Sequence, residues 1–226
     1  MGYDWDFEPV LRHFDLLVYG LGNTLLITGL AFLMGLPIGF ILAMMRLSGR
    51  RYLSMPTGFV IDFFRCTPSL VQLFWFFFAF PMLTGIRLTP FSAVVITLTI
   101  LSAAFTAEIF RAGILSLERG QWEAARALGM PHRNIMGRII LPQAIKRMIP
   151  VFLERAIELL KTSTIASTIS YTDILFNAQE ISHQTYRPME VFTVVALIFL
   201  IIVTSGSQLA RWLERWMARS GESTVH

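Results

Sequence analysis

Glu154, Glu158 and Lys161 recur at i, i+4 and i+7 inside an otherwise apolar stretch, so a helix would put them on one face. Ionisable groups at membrane depth cost about 2.5–3.5 kcal/mol each on insertion scales, and they therefore face a cavity or each other. Glu158 and Lys161 can pair at i, i+3. Arg155 lies beside them, and Thr162, Ser163, Thr164 and Ser167 continue the polar run. Two readings stand: a polar strip lining a pathway, or a self-satisfied ion-pair cluster that joins helices. Counted from Pro150 at 1.5 Å per residue, Glu158 and Lys161 lie roughly 12 and 16 Å along the helix, near a bilayer midplane. A second candidate wall is Asp62, Arg65, Ser69 and Gln72, three and four residues apart around Pro68. Asp62 and Arg65 can equally be interfacial charges.

Residues for covalent or metal chemistry are not at hand. Lys146 follows Ile145 and Lys161 follows Leu160, so no Gly-Lys-Ser/Thr phosphate loop occurs. There is no G-x-S-x-G. His13, His132, His183 and His226 are scattered without an H-E-x-x-H pattern. The single cysteine, Cys66, excludes a disulfide framework and a multi-cysteine metal site. The expectation is a chain that is not an enzyme, holds no metal and binds no cofactor itself.

The elements that must position the polar groups are membrane helices. Of the 226 residues, 54% are hydrophobic and only 15% charged, against about 25% charged in a soluble domain. Mean hydropathy is +0.60. The net charge of +4 with two lysines argues against a nucleic-acid partner, and the composition excludes a disordered chain. The acidic start predicts no cleaved targeting segment. Residues 16–45, 66–86, 88–107 and 191–210 carry no charge, and about 20 apolar residues span a bilayer. A fifth span over about 150–177 is interrupted by the charges above. It is needed because 13 of the 19 basic residues then fall on one side, the cytoplasmic one. Arg46, Arg50 and Arg51 follow the first span. The stretch from Arg111 to Arg147 follows the third, and Arg211, Arg215 and Arg219 the last. The fold class is all-α and polytopic. Its five transmembrane helices cover about 16–45, 60–83, 88–115, 150–177 and 190–211 of a single transmembrane domain, 1–226. The N-terminus is outside and the C-terminus cytoplasmic. Tyr186, Trp212 and Trp216 are expected as interfacial aromatics, and Pro37, Pro68 and Pro81 within helices. Gly35-x-x-x-Gly39 suggests close helix packing inside one subunit.

Residues 117–148 form a polar cytoplasmic loop expected as two short helices. The first covers 121–128 and is closed by Gly129. Pro131 opens the second, which carries an apolar stripe of Ile135, Ile139 and Ile140. Such an element, too polar to insert, reads as a docking surface.

Within that loop, Glu123-Ala124-Ala125, three residues, Gly129, nine residues, Ile139, one residue and Leu141-Pro142 resemble the EAA loop of ABC importer permeases. GLGNTLLITGLAFLMGLPIGFILAMMRLS, DFFRCTPSLVQLFWFF, TAEIFRAGILSLERGQWEAARALGM and LLKTSTIAS resemble the polar amino acid permeases of the histidine/glutamate/glutamine type. So does the final run of RPMEVFTVVALIFL and RWLERW, and the likeness extends from about Tyr19 to Trp216.

The resemblance implies a type I importer permease fold in the bacterial inner membrane. Two permease subunits, identical or paralogous, would form the pore and work by alternating access. Two ATPase subunits carrying ATP and Mg would dock on the EAA loop, and a periplasmic or surface binding protein would deliver an amino acid. It implies ATPase coupling through Glu123, Ala124, Ala125, Gly129, Met130 and Pro131. For the two alanines, simple packing of the loop helices competes with docking. Lys161 or Arg155 would answer a substrate carboxylate, and Glu154 or Glu158 its ammonium. Glu108 and Arg111 match the family's A-E-I-x-R-A-G run and read as an ion pair near the cytoplasmic gate. Relatives commonly have Lys-Asp-Thr-Ser where Lys161-Thr162-Ser163-Thr164 stand. The missing acid points away from cationic and toward neutral or acidic amino acids, although Glu154 and Glu158 can reverse that argument. The alternative class is a secondary transporter or channel that uses the Glu/Lys strip without any ATPase.

Overall fold

The computed structural model describes residues 4–222, with the side chains of Trp216 and 218–222 left aside. The expectations placed on Trp216, Arg219 and His226 therefore lie outside the described residues. Every regular element among the described residues is helical. These are α1 (Glu8–Arg12), α2 (Phe14–Leu47), α3 (Arg51–Cys66), α4 (Ser69–Thr84), α5 (Pro90–Leu115), α6 (Arg119–Ala127), α7 (Leu141–Thr162), α8 (Ile174–Thr185) and α9 (Pro188–Glu222).

Local chemistry sets the boundaries. α2 begins with Asp15 in its first turn and ends with Arg46 in its last, both complementing the helix dipole. Thr89 caps α5, its hydroxyl accepting from the Ser92 amide at 3.2 Å, and Pro90 follows at the favoured first position. Asp173 caps α8 by accepting from the Phe176 amide at 2.8 Å. Two stretches wind as π-helix: Trp75–Ala79 within α4 and Ile135–Ile140 leading into α7. Each lies just before a proline, Pro81 and Pro142, whose missing N–H breaks the α ladder.

α2, α5 and α9 (over Pro188–Arg215) are each long and apolar enough to cross a membrane, and α3 with α4 can make one broken span. The break corrects two expectations. The span over 60–83 is not continuous, and Pro68 lies between helices rather than inside one. A proline disfavours helical backbone at the residue before it, and Pro68 itself adopts φ −58°, ψ 132°. The Gln72 side chain then donates to the Thr67 carbonyl at 3.0 Å.

The span expected over 150–177 also differs. The helix starts earlier, at Leu141, and runs through Pro150. It tightens to a 3-10 helix over Ser163–Ile169 and stops at Ser170, whose φ is 60°. The hydroxyls explain the change. Ser163, Thr164, Ser167 and Thr168 each donate to a carbonyl three residues back, at 2.7–2.9 Å, which competes with regular α bonding.

The described residues gather into two units, each made of three separate chain segments. One contains the chain up to Leu33, Thr67–Ile100 and Ala156–Ser205. Its core is Val10, Leu17, Ile174, Ala178, Ile181, Val191 and Val195. The other contains Met34–Cys66, Leu101–Arg155 and the chain from Gly206. Its core is Ala43, Ile61, Ala107, Phe110 and Ile114 with Leu117, Ala125, Ile135, Ile140, Ala144 and Met148. The glycine pair packs inside this second unit, as expected. A Cβ on Gly35 would lie 2.5 Å from the Ser102 hydroxyl, and one on Gly39 would strike Thr106.

Candidate functional site

The polar loop folds as a two-faced element. α6 covers Arg119–Ala127, two residues earlier at its start than expected. It ends at Gly129, φ 71°. The Gly129 amide donates to the Arg126 carbonyl at 2.9 Å and the Met130 amide to the Ala125 carbonyl at 3.2 Å. This closure needs a left-handed residue, which glycine supplies without strain. Ala125 is buried against Ile135, Ile140 and Met148, whereas Glu123, Ala124, Leu128, Gly129 and Pro131 are exposed and Met130 is half-buried. Packing accounts for Ala125 but not for Ala124. Trp122 stacks on His132 with centroids 5.8 Å apart, and Gln143 donates to Gln121 at 2.7 Å. Of the expected isoleucine stripe, Ile135 and Ile140 are fully buried and Ile139 partly so, on π rather than α backbone.

The pairing of Glu108 with Arg111 is present and is larger than the spacing suggested. Arg111 grips the carboxylate with Nε at 3.0 Å and Nη2 at 2.8 Å, both to Oε2. Arg46, at the end of α2, donates to Oε1 at 2.7 Å. Arg65 stands 3.9 Å from Oε2 and 3.8 Å from Asp62, and Arg46 reaches Asp62 at 3.5 Å. Glu108 thus sits among three guanidinium groups. Arg46 was not anticipated; the G-x-x-x-G that seats α2 on α5 was the one signal that pointed to it. Phe105 was also missed. Arg155, 8% exposed, lies over its ring at 3.6 Å from the centroid, and Arg65 at 5.3 Å.

The other candidate residues separate. Glu154, Glu158 and Lys161 are exposed on the continuous α7, while Arg155 turns inward. Lys161 borders a cavity of about 360 Å³ with Thr164, Ala196, Phe199, Leu200 and Val203. Thr162 donates to the Glu158 carbonyl at 2.9 Å, and buried Ser163 accepts from Thr28 at 3.2 Å. Asp62 and Arg65 belong to α3, whereas Ser69 and Gln72 belong to α4 beyond the Pro68 break. These four therefore do not form one continuous helix face.

Three long apolar helices, one broken pair and a two-faced polar loop define an integral membrane protein. Residues 35–219 match the family described as "Binding-protein-dependent transport system inner membrane component". The chain is 39% identical over 199 residues to a putative glutamine transport system permease protein GlnP of Rickettsia bellii, covering 88% of this chain and 91% of the relative. It is 33% identical over 210 residues to the arginine transport system permease protein ArtQ of Bacillus subtilis, covering 93% and 96%. Among solved structures, an amino acid ABC transporter crystallised with histidines superposes with a TM-score of 0.89 at 36% identity, over 94% of this chain and 99% of that one.

The chain belongs to the binding-protein-dependent inner membrane component family. It is an all-α, multi-pass permease subunit of an ABC importer, with the type I permease fold, and not an enzyme. This membership does not favour the secondary-transporter or channel alternative. Its family implies ATPase and substrate-binding protein partners.

Proposed function

We propose that this permease moves a polar amino acid across the bacterial inner membrane by alternating access. Two such subunits, identical or paralogous, would form the pore, with two ATPase chains holding ATP and Mg on the cytoplasmic side. The substrate class rests on the relatives named above, whose names specify glutamine and arginine. A neutral or acidic amino acid is the preferred cargo, because Thr162 stands where relatives commonly carry an acid and Arg155 is held inward on Phe105. Glu154, Arg155, Glu158, Lys161, Thr162 and Ser163 are the pathway candidates on α7 and its continuation. Asp62, Arg65, Ser69 and Gln72 are those flanking the Pro68 break. Glu108 with Arg111 is the gate pair.

The ATPase would dock on the loop 117–148, in a single transmembrane domain spanning 1–226 with its N-terminus outside. The observation that carries this is the division of α6. Ala125 is sunk in the core, while Glu123, Ala124, Gly129 and Pro131 face outward with Met130 at the margin. Glu123 makes no ion pair among the described residues, so its charge is available to a partner. Glu123→Arg is expected to abolish ATP-driven uptake while leaving membrane insertion intact. Normal uptake by that variant, measured in inverted-control vesicles with matched permease levels, would refute the coupling role.

A further inference from the structure

The second unit carries an open groove of about 510 Å³ beside the gate residue Glu108 and the pathway candidate Arg65, whose apolar wall and Arg147 have no role above. Its walls are mainly apolar: Phe105, Ile109, Ala112, Gly113, Met148 and Val151. Its polar lining is Arg65, Arg147, Ser116 and Glu108. The carboxylate of Glu108 is already held by Arg46 and Arg111, so it contributes little repulsion. The guanidinium of Arg65 stands 3.8 and 3.9 Å from its carboxylate neighbours, beyond hydrogen-bond distance. Arg147 uses one N–H on the Ser116 carbonyl, at 3.2 Å. Besides the guanidinium groups that hold Glu108, the groove thus offers Arg65 and Arg147, each with N–H donors to spare.

We propose that this groove binds an anionic phospholipid, its phosphate held between Arg65 and Arg147 and the start of an acyl chain lying along Ile109, Ala112 and Val151. Arginine suits a phosphate because its planar fork presents paired donors to two oxygens. The apolar walls decide between sources of the same chemistry. A free phosphate would leave them against water, whereas a lipid covers them. Basic pockets between helices on the cytoplasmic side attract anionic headgroups, and the orientation proposed above puts Arg147 on that side. The bound lipid would tie α3 to α7 beside Met148, which underlies the docking helix.

The test is retention of lipid by the intact importer complex in neutral detergent, read by native mass spectrometry without ATP. Because no transport is measured, the result is independent of the coupling role of Glu123. Phosphatidylglycerol is expected to stay bound and phosphatidylcholine to be lost. In the double variant Arg65→Gln/Arg147→Gln, retention is expected to fall roughly thirtyfold, as expected for two surface-type basic contacts. Ala112→Trp, which fills the apolar side and leaves both arginines in place, is expected to displace the lipid as well. Arg87→Gln, remote in sequence and outside the groove lining, is expected to change nothing. Unchanged retention in the double variant or in Ala112→Trp overturns the proposal. Equal loss in Arg87→Gln overturns it in favour of general surface charge. Displacement by millimolar inorganic phosphate overturns it in favour of a free-anion site.

Discussion

Replacing Glu108 with glutamine keeps the side chain's shape and removes the only charge that Arg111 grips in bidentate fashion. Arg46 and Arg111 would then face each other across a neutral amide, with Arg65 close by. Hydrogen bonds to charged groups contribute about 1.5–3 kcal/mol, and removing one member of a partly buried pair strands its partners. Glu108→Gln is therefore expected to lower the thermal midpoint in detergent by a cost of about 3 kcal/mol. Arg12→Gln, which breaks an exposed i, i+4 pair, should leave the midpoint near wild type. Equal midpoints for the two variants would show that the Glu108 cluster does not hold the fold. The pairing with Arg111 was legible in the sequence because helical spacing is local. Arg46 was not, since it lies 62 residues away and reaches Glu108 only because Gly35 and Gly39 let α2 approach α5.

The loop helix carries a sharper conformational demand. Gly129 sits at φ 71° in a closure that satisfies two amides. A β-branched residue there is strained by about 1–3 kcal/mol, whereas asparagine tolerates the left-handed region. Gly129→Val is thus expected to speed hydrogen exchange at the amides of residues 129 and 130, and Gly129→Asn to leave it nearly unchanged. Identical exchange in both variants would mean that the closure does not depend on backbone handedness. This helix was legible to within two residues because its stop signal is a single glycine. The π stretches were not. A proline announces a lost hydrogen bond, but where the ladder recovers depends on neighbouring helices that the local sequence does not name. Pro68 carried the same ambiguity: in the sequence it fits inside an apolar run, and in the structure it separates α3 from α4.

At the scale of the whole molecule, apolar runs and charge segregation were enough to read a multi-pass membrane protein, because a bilayer imposes composition directly, while the family was legible only through the resemblance of the spaced loop motif and its flanking segments. The division into two units was not legible. Each is assembled from three discontinuous segments, and no linker or composition shift marks their limits. The assembly has a direct measurement. A tagged chain purified in mild detergent is expected to bring down an ATPase chain in equal number to the permease subunits, with or without a second membrane chain, as read by mass analysis. Recovery of this chain alone, or only with copies of itself, would contradict that stoichiometry.

The break between α3 and α4 also has a practical use. Cys66, the one thiol in the sequence, is exposed at the last residue of α3. A maleimide fluorophore or nitroxide placed there needs no cysteine-free background. Its spectrum would report whether the chain at Thr67–Pro68 changes conformation during each ATP-driven cycle.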